Sequence, residues 1–123
     1  MPVPILKQGD TLIASIVAAL SDDDLLTFRD DLAQKIGSVR ARGVVIDVTA
    51  LDVLDSFATR TLRGIAYTAK LRGANTVIVG IQPDVAFAMV QLGLTLQGVS
   101  TALDLEHGLA LLARMKQERG QPG

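Results

Sequence analysis

Residues Gly43 to Val48, GVVIDV, form a short, almost unbroken apolar run rich in β-branched side chains. Such a run reads as a strand covered on both faces, as in parallel sheets flanked by helices. From Phe57 to Arg72 the apolar spacing becomes helical. Ala58, Thr61, Leu62, Ile65, Ala66 and Ala69 share one face, while Arg60, Arg63, Tyr67 and Lys70 share another. Asp47 to Ser56 is therefore a loop at the carboxyl end of a buried strand, where functional loops of open α/β sheets lie. It carries Asp52, Asp55 and Ser56.

The flanking sequence extends the α/β pattern. Pro2 to Leu6 suits an edge strand, where prolines are tolerated. Gln8-Gly9-Asp10 signals a turn and Thr11 to Val17 a second strand, giving an antiparallel hairpin. Ser21 is placed to cap a helix whose first turn holds Asp22, Asp23 and Asp24. A calcium loop would spread its ligands over about 12 residues around a central glycine, and Leu25-Leu26-Thr27-Phe28 supplies none. Leu25, Phe28, Leu32 and Ile36 make the buried stripe, and Gly37 is expected to end the helix. Thr76 to Gly80 reads as another buried strand. Pro83 sits at the first position of a helix that reaches about Leu92, with Gly93 as its stop. A short strand is expected near Leu96 to Val99, and Asp104 caps a last helix from Leu105 to about Glu118. The expectation is one α/β domain over residues 1–119, with 120–123 a frayed tail. Its sheet is mixed, mostly parallel and open, with an N-terminal antiparallel hairpin and about four helices.

Composition narrows the chemistry. Hydrophobic residues at 49% and charged residues at 20% fit a globular domain, and aromatics at 3% make its core aliphatic. With no cysteine there are no disulfides or thiolate metal sites. A net charge of −1 gives no reason to expect nucleic acid as a partner. The start MPVPILKQGD does not read as a signal peptide, and no apolar run approaches the roughly 20 residues that span a bilayer. A cytoplasmic protein without membrane contact is expected.

No phosphate-binding glycine motif occurs, and Ser56 does not lie in GxSxG. The one histidine, His107, stands in the last helix and reads as a surface residue. Asp47, Asp52 and Asp55 could hold magnesium in the manner of a receiver domain. That site also needs an acidic pair after the first strand and a lysine after a late one, and neither is present. In the plain structural reading, Asp47 and Thr49 pin the loop through side-chain to backbone bonds, and Asp55 or Ser56 caps the helix. No catalytic residue, cofactor or metal is expected.

The run Val44-Val45-Ile46-Asp47-Val48-Thr49-Ala50-Leu51-Asp52-Val53-Leu54-Asp55-Ser56-Phe57 resembles the signature of the STAS domain, the fold of anti-sigma factor antagonists. Pro4 to Lys7, Leu71 to Ala74, Gly80 to Ala86, Gln91 to Gly93 and Thr101 to Leu109 further resemble the RsbS-type branch. The resemblance implies a non-enzymatic scaffold of the bacterial stressosome. Its partners would be an RsbT-like serine/threonine kinase, an RsbR-like STAS co-scaffold, an RsbX-like phosphatase and further copies in a dimer or larger shell. Ser56 falls on the phosphoacceptor position. RsbR-like chains carry a second phosphorylatable threonine where this chain has Ala88, and they add sensory N-terminal domains, so one switch and the RsbS role are expected. Asp52, Asp55, Phe57, Thr59, Arg60 and Arg63 are the expected switch surface. Thr59 is also weighed as an alternative phosphoacceptor, and the Arg60, Arg63 and Lys70 stripe as an ordinary solvated helix face.

Overall fold

The alternation of buried runs and amphipathic stretches produces nine elements among the described residues. The computed structural model describes residues 3–120, the last two by backbone alone. Strands β1 (Ile5–Gln8) and β2 (Thr11–Ser15) form the antiparallel hairpin. Gln8 pairs with Thr11, so Gly9 and Asp10 alone make the turn, and Gly9 takes the left-handed conformation at φ 62°. There follow α1 (Asp22–Val39), β3 (Gly43–Asp47), α2 (Ser56–Leu71), β4 (Asn75–Val79), α3 (Pro83–Gln91), β5 (Ser100–Ala102) and α4 (Leu105–Gly120). The sheet order is β1-β2-β3-β4-β5, and β2 to β5 are parallel. The expected mixed sheet, hairpin and four helices are all present.

The unbroken apolar run of β3 is explained by its two covers. Val44 and Ile46 enter the larger core beneath α1, α2 and α3, while Val45 points to the opposite face, where α4 packs. Strand β4 divides its side chains in the same way, Ile78 to one core and Val77 and Val79 to the other. Helix α4 sits close to the sheet because Gly108 has no side chain. A Cβ there would stand 2.6 Å from Val79 Cγ1.

Strand β1 runs over Ile5–Gln8 rather than Pro2 to Leu6, so Gln8 is in the strand and not the turn, and β2 ends at Ser15 rather than Val17. Three later boundaries also differ from expectation. Helix α1 continues through Gly37 and ends at Arg40, which adopts φ 52° while its N–H donates to the Ile36 carbonyl. Gly37 instead leaves room for the Arg72 side chain, since a Cβ there would lie 2.5 Å from Arg72 Nη2. The last strand is Ser100–Ala102 rather than Leu96 to Val99. Val99 N–H closes a turn onto the Leu96 carbonyl, and pairing with Val77 to Val79 begins only at Ser100. Helix α4 includes Gly120, and the rest of the expected tail lies outside the described residues, as does Pro2 of the expected first strand.

Parallel strands joined by returning helices give the domain two unlike ends. All four helices begin at the carboxyl end of the parallel strands, and α1 and α2 finish at the other end beside the starts of β3 and β4. No helix among the described residues is long and apolar enough to cross a membrane.

Candidate functional site

The loop between β3 and α2 stands over the centre of the sheet, at the end where the helices begin. Its first turn is fixed by Asp47. The half-buried carboxylate accepts from the Thr49 backbone N–H at 2.9 Å and from the Thr49 hydroxyl at 2.6 Å. Both bonds reach one oxygen of Asp47, so its charge is committed to the loop backbone. A neighbouring segment clamps the same turn. Gln82 Nε2 donates to the Thr49 carbonyl at 2.6 Å, and Gly80, at φ 82°, lets Thr49 approach because any Cβ there would collide with Thr49 Oγ1. Leu51 and Leu54 are buried and anchor the loop, while Asp52 and Val53 stay outside.

Helix α2 then starts with a cap that distinguishes two adjacent candidates. Asp55 is the N-cap, in extended conformation, and its Oδ1 accepts from Ala58 N–H at 2.8 Å. Ser56 is the first helical residue, exposed, and does not serve as the cap. Its hydroxyl therefore stands at the helix entrance, where backbone N–H groups lack intrahelical partners.

The remaining expected surface residues separate. Arg60 is exposed and Phe57 is half-buried against the larger core. Arg63 is half-buried and donates to the Thr95 carbonyl at 3.3 Å and hydroxyl at 3.4 Å, so it braces the segment between α3 and β5. Thr59 is a correction. It is 1% exposed, with no hydrogen-bond partner for Oγ1 among the described residues, and belongs to neither a docking surface nor a phosphoacceptor site. Lys70 and Tyr67 are exposed farther along the helix.

Two features escaped the sequence reading. Gln82 and Gly80 lie more than thirty residues from Thr49, and only the parallel pairing of β3 with β4 brings them together. Val53 is 71% exposed between two carboxylates, at the lip of an apolar cleft of about 120 Å³ walled by Ile16, Leu20, Leu25, Leu51, Leu54 and Ala58. Among the described residues no group of three or more His, Cys, Asp or Glu is arranged to hold a metal ion.

The only histidine lies at the same end. His107 is exposed on α4, and Asp104 caps that helix by accepting from its backbone N–H at 2.9 Å. The His107 ring stands 2.6 Å from the same Asp104 oxygen, and this contact raises the imidazole pKa above its ordinary 6.5. Asp104 is held below the usual carboxylate value, first by the backbone bond and then by the ring.

With this geometry in view, the comparisons are specific. The STAS domain model matches residues 3–105. The chain belongs to the STAS domain family. A serine-to-glutamate variant of RsbS from Moorella thermoacetica is 40% identical, with TM-score 0.81, over 94% of this chain and 97% of that one. A chain from the solved architecture of the stressosome, described as a signal integration and transduction hub, is also 40% identical. Its TM-score is 0.78 over 93% and 99% of the two chains. These likenesses place this STAS domain on the RsbS-type branch. The RsbT co-antagonist protein RsbRA of Bacillus subtilis is 23% identical over 120 residues, covering 97% of this chain and 44% of its own length. The chain thus spans less than half of the curated relatives it matches first.

Proposed function

We propose that this STAS domain is a non-enzymatic, cytoplasmic scaffold subunit of a stressosome-type assembly, and that Ser56 is its switch. It binds RsbR-like STAS chains and further copies of itself, holds an RsbT-like serine/threonine kinase against the β3–α2 end, and releases it when Ser56 is phosphorylated. An RsbX-like phosphatase restores the resting state. One observation carries the reading: Ser56 is exposed at the first position of α2, while the capping task is performed by Asp55.

The physical chemistry of release requires no refolding. A neutral hydroxyl tolerates close docking, whereas phosphorylation adds about −1.5 to −2 charges. The helix entrance favours that charge by about 0.3–1 kcal/mol. Asp52 and Asp55 oppose it, and their repulsion counts against binding in so far as a docked partner excludes water and lowers the local dielectric; a like-charge pair at about 4 Å near a surface costs on the order of 4 kcal/mol before salt screening. A covering partner must also strip water from the phosphate. A net loss of about 3 kcal/mol lowers affinity on the order of a hundredfold. Asp52, Phe57, Arg60 and the exposed Val53 supply the docking face, while Asp47 and Thr49 hold the loop that presents it. The RsbS neighbour whose serine has been changed to glutamate carries the kind of acidic substitution that imitates such a charge.

Incubation with the cognate kinase and ATP, followed by site mapping, is expected to find phosphate on Ser56 and none on Ser56→Ala. In titrations with the kinase, Ser56→Ala binds at least as tightly as the parent and Ser56→Asp at least tenfold more weakly. Modification elsewhere, or equal affinity of both variants, contradicts the proposal. If Ser56 were only a structural residue of a self-assembling subunit, the kinase would leave the mass unchanged.

A further inference from the structure

The opposite end of the domain carries a positive groove for which the switch has no use. It lies between the carboxyl ends of α1 and α2 and is bordered by Ile36, Gly37, Arg40, Arg42, Arg72 and Gly73, with a volume of about 510 Å³. All three arginines are exposed, and none forms an ion pair among the described residues. The nearby carboxylate of Asp10 is paired with Lys116, and Arg42 acts on it only as a weaker, longer-range charge.

Two backbone features assemble the cluster. Arg40 ends α1 in the left-handed region at φ 52°, the only non-glycine residue with positive φ among the described ones. Glycine or asparagine is the usual choice there, so the strain of an arginine coincides with a charge aimed into a groove. Gly37 provides the second feature. Its missing side chain is what allows the Arg72 guanidinium to lie against α1.

A simpler role would be to complement the helix carboxyl ends. Each such end carries about −0.5 charge, so α1 and α2 together call for about one positive charge. Three guanidinium groups exceed that by about two, which matches a phosphate monoester dianion at neutral pH. Guanidinium is also the side chain best suited to phosphate oxygens through paired N–H donors.

We propose that the groove formed by Arg40, Arg42 and Arg72 binds a phosphate dianion, either the free anion or the monoester group of a nucleotide. The site is independent of Ser56, so it stands or falls separately from the switch. Because the arginines are exposed and screened by salt, the affinity is millimolar rather than nanomolar.

The test is an amide NMR titration of the full chain with inorganic phosphate and, separately, with adenosine monophosphate, against chloride at matched ionic strength. Saturable shifts are expected at residues 40–43 and 72–73. Arg40→Gly removes one charge while relieving the left-handed strain, so it keeps the fold and weakens binding at least tenfold. Gly37→Ala favours the helix but occupies the seat of Arg72, and weakens binding severalfold. Equal affinity for the two ligands supports the site with the free anion as ligand, and tighter binding of the nucleotide supports it with a nucleotide as ligand. Shifts no larger than those from chloride, or undiminished affinity in Arg40→Gly, overturn the proposal.

Discussion

The two ends of the sheet are built from the same chain direction and have opposite electrostatic characters. At the end where the helices begin stand Asp22, Asp23, Asp24, Asp52, Asp55, Asp84, Asp104 and Glu106, together with Ser56. At the other end stand Arg40, Arg42 and Arg72, with Lys70 in the last turn of α2. Carboxylates suit helix beginnings and cations suit helix ends. A parallel α/β sandwich collects all the beginnings on one side, so an acidic and a basic pole follow from topology. The difference teaches where an anion can act. On the proposed switch, an anion added at the acidic pole is resisted by its neighbours and disfavoured beneath a docked partner. Offered at the basic pole it is retained.

The greatest damage to the acidic pole is expected from Gly80→Ala. The substitution combines a left-handed backbone with a collision against Thr49. Strain of about 1–2 kcal/mol and overpacking of about 1–3 kcal/mol predict a loss near 3 kcal/mol in urea unfolding. A loss below 1 kcal/mol would mean that the Gly80–Thr49 contact does not hold the loop.

Asp55 separates cap from charge. Asp55→Ala is expected to cost about 1 kcal/mol through loss of the bond to Ala58, while Asp55→Asn, also a good cap, costs a few tenths. If both variants lose the same stability, the carboxylate acts at this pole through its charge and not as a cap.

Arg40→Gly gives the corresponding effect at the basic pole with the opposite sign. Relief of the left-handed arginine predicts a gain of up to about 1 kcal/mol. A loss of stability would assign Arg40 a structural role and weaken the contrast between the poles.

The smallest effect concerns His107. Its raised pKa means that its contribution to stability is full below 6.5 and disappears as pH rises through the folded-state value above 6.5. Asp104, with a lowered pKa, contributes above 3.8 and loses its contribution as pH falls through its folded-state value. An NMR titration should place the His107 midpoint above 6.5, and Asp104→Asn should return it toward 6.5. A midpoint unmoved by that change would show that the Asp104 contact is not what shifts it.

Strand β3 was legible because the apolar run around Val44-Val45-Ile46 is too short for a helix and β-branched, which favours a strand covered on both faces. The position of Ser56 at the start of α2 was legible from the change of apolar period. Which of Asp55 and Ser56 caps the helix was not, since both are good caps and adjacent. Thr59 was misplaced because α2 packs against more than one neighbour, which widens its buried arc beyond the stripe that the apolar residues mark. Strand β5 is three residues long and carries no periodic signal, so its neighbours Leu96 and Val99 drew the assignment. The Gln82–Thr49 clamp is long-range, and no local pattern reports it.

The most direct measurement compares the affinity of the cognate kinase for the chain before and after phosphorylation at Ser56, at low and at high salt, with amide spectra of both forms. Repulsion at the acidic pole predicts a loss on the order of a hundredfold at low salt, a smaller loss at high salt, and spectral changes confined to residues around 52–60. Equal affinities, or a loss accompanied by rearrangement throughout the domain, would contradict it.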